Sequence, residues 1–150
     1  MAPAKWRLRP ACADDFEWAF ALHRAALGEY VQQTWGWEEH VQRRMFSELF
    51  HDRSWRIIEI DSHDVGLLVV EERPDELYLA LIELTPRWQN QGIGTAILGW
   101  LRDHAKETRR PLSLRVLKTN HRATALYERE GFHVVQDGPT KILMRSVEDG

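Results

Sequence analysis

The sequence predicts an α/β protein of the α+β type, with a mixed, mostly antiparallel sheet that contains one parallel strand pair and is flanked by about four helices. Its 150 residues are 43% hydrophobic and 29% charged, which suits a single domain over residues 1–150 with one core. Three strand-like runs separated by short turns predict an antiparallel meander. A later succession of strand, helix and strand predicts a right-handed crossover, and therefore the parallel pair.

The chain is predicted to begin with a strand and two helices. Residues 6–9 alternate in polarity and predict a strand, after which Asp14 is a plausible N-cap for a helix. His23 lies on the apolar face of that helix, where a hydrogen-bonded core histidine is expected rather than a metal ligand. Residues 34–37 interrupt the helical pattern. The apolar positions at helical spacing are Phe16, Phe20, Leu27 and Tyr30 in the first helix, and Val41, Met45 and Leu49 in the second.

The sheet is predicted to continue with strands at residues 55–60, 65–70 and 76–84. The last of these runs is apolar on both faces over residues 77–82, which indicates a central strand. In the second half of the chain, a helix is predicted from Gly92, with Trp100 on its apolar side, and a strand at residues 112–117. A short helix follows, which Asn120 caps and Gly131 ends. The last predicted strands are residues 132–136 and 141–145.

The composition argues against several functions. A formal net charge of −3 provides no basic field for nucleic acid. No apolar run approaches the ~20 residues that span a bilayer, and residues 1–6 lack the apolar core of a signal peptide. Cys12, the single cysteine, fits a cytoplasmic location and is expected to be a small buried residue. The seven histidines show no close pair at ligand spacing, so no metal is expected, and most of the seven tryptophans are expected in the core.

Residues 89–96 read Gln-Asn-Gln-Gly-Ile-Gly-Thr-Ala between a predicted strand and a predicted helix. The first turn of a helix has unpaired N–H groups and the positive end of the helix dipole, which favour phosphate oxygens. Gly92 and Gly94 have no Cβ to keep a ligand away from the backbone. A P-loop would need Lys and then Ser or Thr after the last glycine, and a dinucleotide fingerprint would need glycine at Ile97. Neither motif fits, so another way of binding a pyrophosphate is indicated.

A second segment, residues 117–132, helps to identify the class of pyrophosphate-binding protein. It contains Asn120, Ala123 three residues later, a Leu-Tyr pair ending at Tyr127, and a Gly-Phe pair that opens the next strand. With the Gln-x-x-Gly-x-Gly pattern of residues 89–94, it resembles the GNAT superfamily of N-acetyltransferases over almost the whole chain. The resemblance implies a GNAT-like sheet whose parallel strand pair is splayed. It also implies an enzyme that uses acetyl-CoA as co-substrate and needs no metal.

The resemblance further implies a cofactor site. Backbone amides of residues 91–95 would hold the pyrophosphate, and the strand end near Leu84 would pair with the pantetheine arm. Asn120 would bond the pantetheine or nearby amides while also capping its helix. Many relatives have Arg where Gln89 stands, so phosphate binding here would depend more on backbone dipoles. The implied cofactor-binding residues are Leu84, Thr85, Gln89, Asn90, Gln91, Gly92, Ile93, Gly94, Thr95, Asn120, Ala123 and Tyr127.

Two side chains and one amide are the candidate catalytic groups. An alkyl amine with a pKa near 10.4 is neutral in only about one molecule in a few thousand at pH 7, so a base is useful. Glu83 is the candidate base, acting directly or through water. Tyr127 is the candidate acid for the departing thiolate, and the amide of Leu84 is the candidate oxyanion donor. The alternatives are a structural Glu83 bonded to Trp55, Trp100 or a turn amide, and a Tyr127 that is only a core aromatic.

The segment between the first two helices is the candidate acceptor site. Its aromatic residues Tyr30, Trp35 and Trp37, with Glu38 and Glu39 beside them, suit a cationic amine through cation–π contact and ion pairing. Alternatively, the tryptophans hold the helices together and the glutamates favour the start of a helix.

The bulk of the aromatic residues in this segment favours a small primary amine as acceptor. A protein or peptide N-acetyltransferase and a non-catalytic acyl-CoA-binding or sensing domain are the alternatives. Dimerisation is common among similar proteins, although no segment identifies an interface.

Overall fold

The computed structural model describes residues 5–52 and 54–146, apart from the side chain of Asp52. Residues 1–4 lie outside the described residues. They are part of residues 1–6, for which the sequence predicts no signal peptide. The strands are β1 (Trp6–Pro10), β2 (Trp55–Ile60), β3 (His63–Glu72), β4 (Leu77–Leu84), β5 (Leu112–Leu117), β6 (Phe132–Asp137) and β7 (Lys141–Ser146). The α-helices of the described part are α1 (Phe16–Thr34), α2 (Glu39–Asp52), α3 (Ile93–Glu107) and α4 (His121–Arg129).

The strands form one seven-stranded sheet in the order β1-β2-β3-β4-β5-β7-β6. The pairs β1–β2, β2–β3, β5–β7 and β6–β7 are antiparallel, whereas β4 and β5 are parallel. The parallel register joins Leu77–Leu79 of β4 to Leu112–Leu114 of β5, which is three of the eight residues of β4. The predicted mixed sheet with one parallel pair and about four helices is therefore confirmed.

The chain divides into two compact units. The first comprises Met1–Val69 and Leu81–Ile93. Its core is aromatic where α1 and α2 meet: Phe46 lies 5.5 Å from Phe20 and 5.0 Å from Trp55, measured between ring centroids. The prediction for the apolar face of α2 is wrong in part, because Met45 and Leu49 are exposed and the buried positions are Phe46 and Phe50. The aromatic rings are the larger apolar surfaces, and they take the core side of the helix.

The second unit comprises Val70–Ala80 and Gly94–Gly150. Its core is aliphatic, with Leu77, Ile97, Leu98, Leu112 and Met144 each at most 1% exposed. β3 and β4 each run from one unit into the other. That the chain forms a single domain stays a prediction.

Three details differ from the sequence prediction. Asp14 does not cap α1, because a short 3-10 helix, Ala13–Asp15, comes first and the carboxylate of Asp15 accepts the backbone N–H of Cys12 at 2.8 Å. Cys12 is exposed, since it lies in the connection that leaves β1. Of the seven tryptophans only Trp55 is fully buried, and Trp35 and Trp100 are 57% and 47% exposed.

Within the described residues, the helices are all too short or too polar to cross a membrane.

Candidate active site

The glycine-containing segment leaves β4 through a short 3-10 helix, Pro86–Trp88, and enters α3 at Ile93. The side-chain amide of Gln89 donates to the carbonyl of Leu84 at 2.9 Å, which ties the loop back to the strand end. Gly92 has φ +82°, a conformation that favours glycine, and apart from Gly92 itself and its two chain neighbours no described residue has an atom within 4 Å of where its Cβ would be. The space beside Gly92, at the start of a helix, is therefore open to a ligand.

Neighbouring groups of this segment already have partners. The backbone N–H of Thr85 donates to the carbonyl of Val65 at 2.9 Å. The hydroxyl of Thr95 donates to the carboxylate of Glu130 at 3.0 Å. A ligand here would therefore have to bind the backbone amides of the loop, or displace these partners.

Helix α4 begins as the sequence predicts. The Asn120 side-chain oxygen accepts the N–H of Ala123 at 3.1 Å, so Asn120 is the N-cap, and it is 9% exposed. Gly131 follows the helix with φ +92°, which confirms its predicted role as the terminator. Tyr127 is half-buried, and its ring meets Phe132 edge-on at 5.7 Å between centroids. The aromatic packing of Tyr127 and any catalytic role can coexist.

Among the described residues, Glu83 is the one charged residue that is buried, at 5% exposure. Its Oε2 lies 2.9 Å from Nδ1 of His23 on α1. Its Oε1 is buried and has no hydrogen-bond partner among the described residues. The predicted structural partner Trp55 instead donates its indole N–H to the carbonyl of Leu49 at 2.9 Å. The structure thus gives Glu83 a partner, His23, that the sequence analysis missed, and leaves one carboxylate oxygen unbonded.

Gly66 on β3 allows β4 to approach closely at this point. A Cβ on Gly66 would lie 2.4 Å from the carbonyl oxygen of Glu83 and 2.8 Å from Cδ2 of Leu84. Any side chain there would displace the backbone that carries the candidate base and the candidate oxyanion donor. A single glycine inside a strand is the signal that could have identified this position from the sequence.

The connection between α1 and α2 is held by Trp37. Its indole N–H donates to Glu39 at 2.7 Å, and its ring stacks on Phe20 at 6.4 Å between centroids. Glu39 also pairs with Arg24 at 2.5 Å. The hydrogen bond from Trp37, aided by the nearby charge of Arg24, holds the pKa of the Glu39 carboxyl below its usual range. These contacts favour the structural interpretation of Trp37 and Glu39.

A cavity of about 360 Å³ opens beside this connection. Trp35 lines it, whereas the other two predicted acceptor residues, Tyr30 and Trp37, are not among its lining residues. The cavity is lined by Trp35, Gly36, Glu38, Val41, Gln42 and Met45. The exposed Met45 of α2 is therefore part of a concave surface.

Within the first unit, the structure brings Glu83 to His23 and Leu84 to Gln89. In the second unit it joins Asn120 to Ala123 and places Tyr127 on the same helix. No group of three or more His, Cys, Asp or Glu side chains is placed to hold a metal ion in the part of the chain that the structure describes.

Comparison with known proteins identifies the family and the fold of this chain. The model of the acetyltransferase (GNAT) family matches residues 16–132. PaiA N-acetyltransferase from Thermoplasma acidophilum, solved with coenzyme A, superposes with a TM-score of 0.76 at 16% identity, over 96% of this chain and 99% of that one. No curated protein matches the sequence.

Two further structures have the same fold. A GNAT acetyltransferase from Elizabethkingia anophelis with acetyl-CoA bound gives a TM-score of 0.67 at 15% identity, over 95% of this chain and 98% of that chain. The ribosomal-protein-S18-alanine N-acetyltransferase from Escherichia coli gives a TM-score of 0.67 at 22% identity, over 95% of this chain and 93% of that chain. With a fold of this class and a family match over most of its length, the chain belongs to the GNAT acetyltransferase family, whose reaction is acetyl transfer from acetyl-CoA.

Proposed function

We propose that this protein transfers an acetyl group from acetyl-CoA to a primary amine by direct attack, without an acetyl-enzyme intermediate, and that the acceptor is a small molecule. The observation that carries the proposal is Glu83: a buried carboxylate with one unbonded oxygen, next to the last residue of β4, in a member of an acetyltransferase family. Buried carboxylates are rare in proteins unless they are paired or functional.

Acetyl-CoA would be held along the end of β4 and the start of α3. The open space at Gly92 and the helix start at Ile93 support binding of the pyrophosphate by the amides of residues 91–95. Leu84 and Thr85 would meet the pantetheine arm. Asn120 would add a side-chain contact, in addition to its bond to Ala123.

The proposed roles account for each proton. Acetyl-CoA supplies a thioester, whose carbonyl carbon bonds the amine nitrogen and whose sulfur leaves as a thiolate. Glu83 takes the proton that an ammonium acceptor must lose, a step that costs roughly 4.6 kcal/mol at pH 7 for a group of pKa 10.4. The Leu84 amide donates to the oxyanion. Tyr127 protonates the departing sulfur and regains its proton from water, and the new amide nitrogen loses its extra proton to water. Glu83 then releases the proton that it took from the ammonium to solvent, which is the proton released by the net reaction.

We place the small acceptor in the cavity beside the α1–α2 connection, whose lining residues do not include Glu83. The cavity volume of about 360 Å³ lies in the range of small-molecule sites, and Glu38 on its wall suits a cation. A peptide acceptor is the second candidate, supported by the likeness of fold to the S18-alanine N-acetyltransferase. The acetyl-CoA co-substrate and the presence of a single cysteine also support a cytoplasmic location.

Release of the coenzyme A thiol, measured with and without a panel of amines, tests the proposal. The panel should contain small primary amines and alanine-starting peptides, each at the same concentration. We expect amine-dependent release that is faster with at least one small amine than with any peptide. Preference for a peptide would support the second candidate. Binding of acetyl-CoA without amine-dependent release would instead identify a sensing domain and contradict the proposal.

A further inference from the structure

His23 contacts the candidate base from helix α1. Its Nδ1 lies 2.9 Å from Oε2 of Glu83, and the two side chains are 16% and 4% exposed. The imidazole also packs against Phe46 of α2, with 4.8 Å between ring centroids. A charged carboxylate only accepts hydrogen bonds, so Nδ1 of His23 carries the hydrogen whenever Glu83 is ionised. This contact therefore fixes the tautomer of His23 as well as the orientation of Glu83.

The same contact distinguishes the two carboxylate oxygens of Glu83. Oε2 is bonded to His23, whereas Oε1 is buried without a partner among the described residues. A buried acceptor left unpaired is unfavourable, so this oxygen suits a donor that the chain itself does not supply. An N–H group of an acceptor amine is a donor of that kind.

We propose that His23 is a positioning residue: its neutral imidazole holds Glu83 with Oε1 available to the acceptor amine, and protonation of His23 weakens that base. The inference rests on the proposed function, because it assumes that Glu83 takes a proton from an amine. A cation beside a carboxylate favours the ionised carboxylate, which then holds an incoming proton less well. Turnover should therefore be lower with a charged imidazole than with a neutral one.

Among the contacts that the described residues make with the His23 imidazole, Glu83 supplies a charged group. From β4 it contacts Nδ1, and from α2 the contact is the apolar ring of Phe46. Two cations on these helices, Arg24 of α1 and Arg43 of α2, are each paired with a carboxylate of their own.

The variant His23→Asn tests the inference, because its amide can donate from the position of Nδ1 but does not titrate. The measured quantity is kcat/KM for the best amine of the panel between about pH 5 and pH 9. In the variant at alkaline pH it should stay within about threefold of the wild type, and its acidic limb should move at least about one pH unit lower. His63→Asn is the matched control, since His63 is exposed at the start of β3 and should keep the wild-type limb.

Two failures can be told apart. An unchanged acidic limb in His23→Asn, with amine turnover present, overturns the role of His23 and leaves the transferase intact. Absence of turnover by the wild type with every amine overturns the proposed function, and the role of His23 with it. Glu83→Gln should lose most turnover at all pH values, because it removes the base but keeps an acceptor for Nδ1.

A second readout does not need an acceptor. Heteronuclear NMR of the imidazole nitrogens reports which one carries hydrogen in neutral His23. The Nδ1–H tautomer is expected in the wild type, because an ionised Glu83 can only accept a hydrogen bond. The Nε2–H tautomer, or a mixture typical of a free imidazole, would overturn the inference.

Discussion

At the scale of single residues, the candidate groups differ in how much of their surroundings the sequence predicts. Asn120 is the predicted N-cap, because the preference of Asn for that position depends only on neighbours along the chain. The partner of Glu83 was not predictable in the same way. His23 lies 60 positions away, and only the packing of α1 against the sheet of the first unit brings the two together.

Tyr127→Phe tests the proposed acid. The change removes the phenolic proton and keeps the ring that packs on Phe132. General acid catalysis contributes about 10²-fold or more, so turnover should fall by that order while acetyl-CoA affinity stays nearly unchanged. Thiol release gives turnover, and calorimetry gives affinity.

Tyr78→Phe is the matched control, because Tyr78 on β4 lies 4.2 Å beneath the Arg73 guanidinium and loses only its hydroxyl. Equal turnover in Tyr127→Phe and the wild type would refute the acid role of Tyr127.

Gly66→Ala tests whether the close approach of β3 to Glu83 needs a glycine. The added methyl group would lie 2.4 Å from the Glu83 carbonyl oxygen, so the backbone must move. Overpacking of this kind should lower the free energy of unfolding by about 1–3 kcal/mol. Urea denaturation followed by circular dichroism measures the change.

Gly28→Ala is the contrasting variant, because a Cβ at Gly28 of α1 would meet only Arg24 at 3.8 Å and Trp37 at 4.0 Å. It should stabilise the helix by about 0.5–1 kcal/mol. If Gly66→Ala were as stable as the wild type, the backbone of β4 could move at Glu83 without cost, and the need for a glycine at position 66 would be contradicted.

At the scale of elements, local sequence patterns predict the order and type of the strands and helices. They do not predict which face of a helix is buried. Alternation and helical spacing predict the strands and α-helices to within a few residues, whereas the two short 3-10 helices were not predicted. The buried face of α2 is different, because either Met45 and Leu49 or Phe46 and Phe50 could turn inward by spacing alone. The structure buries the two phenylalanines, which pack against Trp55 of β2. That choice depends on a tertiary contact rather than on periodicity.

The link between β1 and α1 should make stability depend on pH. Asp15 accepts two hydrogen bonds of 2.9 Å from Arg9, which lower the pKa of its carboxyl from 3.8 to about 2. Because the folded pKa lies below the unfolded one, the stabilisation is full above about pH 4 and is lost as the pH falls towards 2. The difference between the folded and unfolded pKa corresponds to a stabilisation of the folded state by about 2 kcal/mol.

Asp15→Asn should therefore lower the free energy of unfolding by about this amount at pH 7 and by much less near pH 2. Urea denaturation at both pH values measures it. Asp14→Asn, at an exposed neighbouring position, is the control and should change little. An equal loss from Asp15→Asn at both pH values would contradict the proposed origin in the ion pair.

At the scale of the whole molecule, the strongest signal in the sequence was the order of two short motifs. The glycine loop and the Asn120-to-Phe132 segment imply a GNAT fold, and the sheet order and the family match confirm it. The acceptor stays a prediction. The cavity proposed for it is lined by three residues of the α1–α2 connection and three residues of α2. The sequence predicts Trp35 as an acceptor residue and Val41 and Met45 as part of the apolar face of α2, and all three line this cavity.

Transfer of a labelled acetyl group tests the central claim most directly. The protein is incubated with acetyl-CoA that carries an isotopic label in its acetyl group, together with the amine panel, and the products are separated by mass spectrometry. We expect the label in an amide of one amine, formed at the same rate as free thiol and nearly absent with Tyr127→Phe. Thiol formed with the label in free acetate, or no thiol at all, would contradict N-acetyl transfer as the function of this protein.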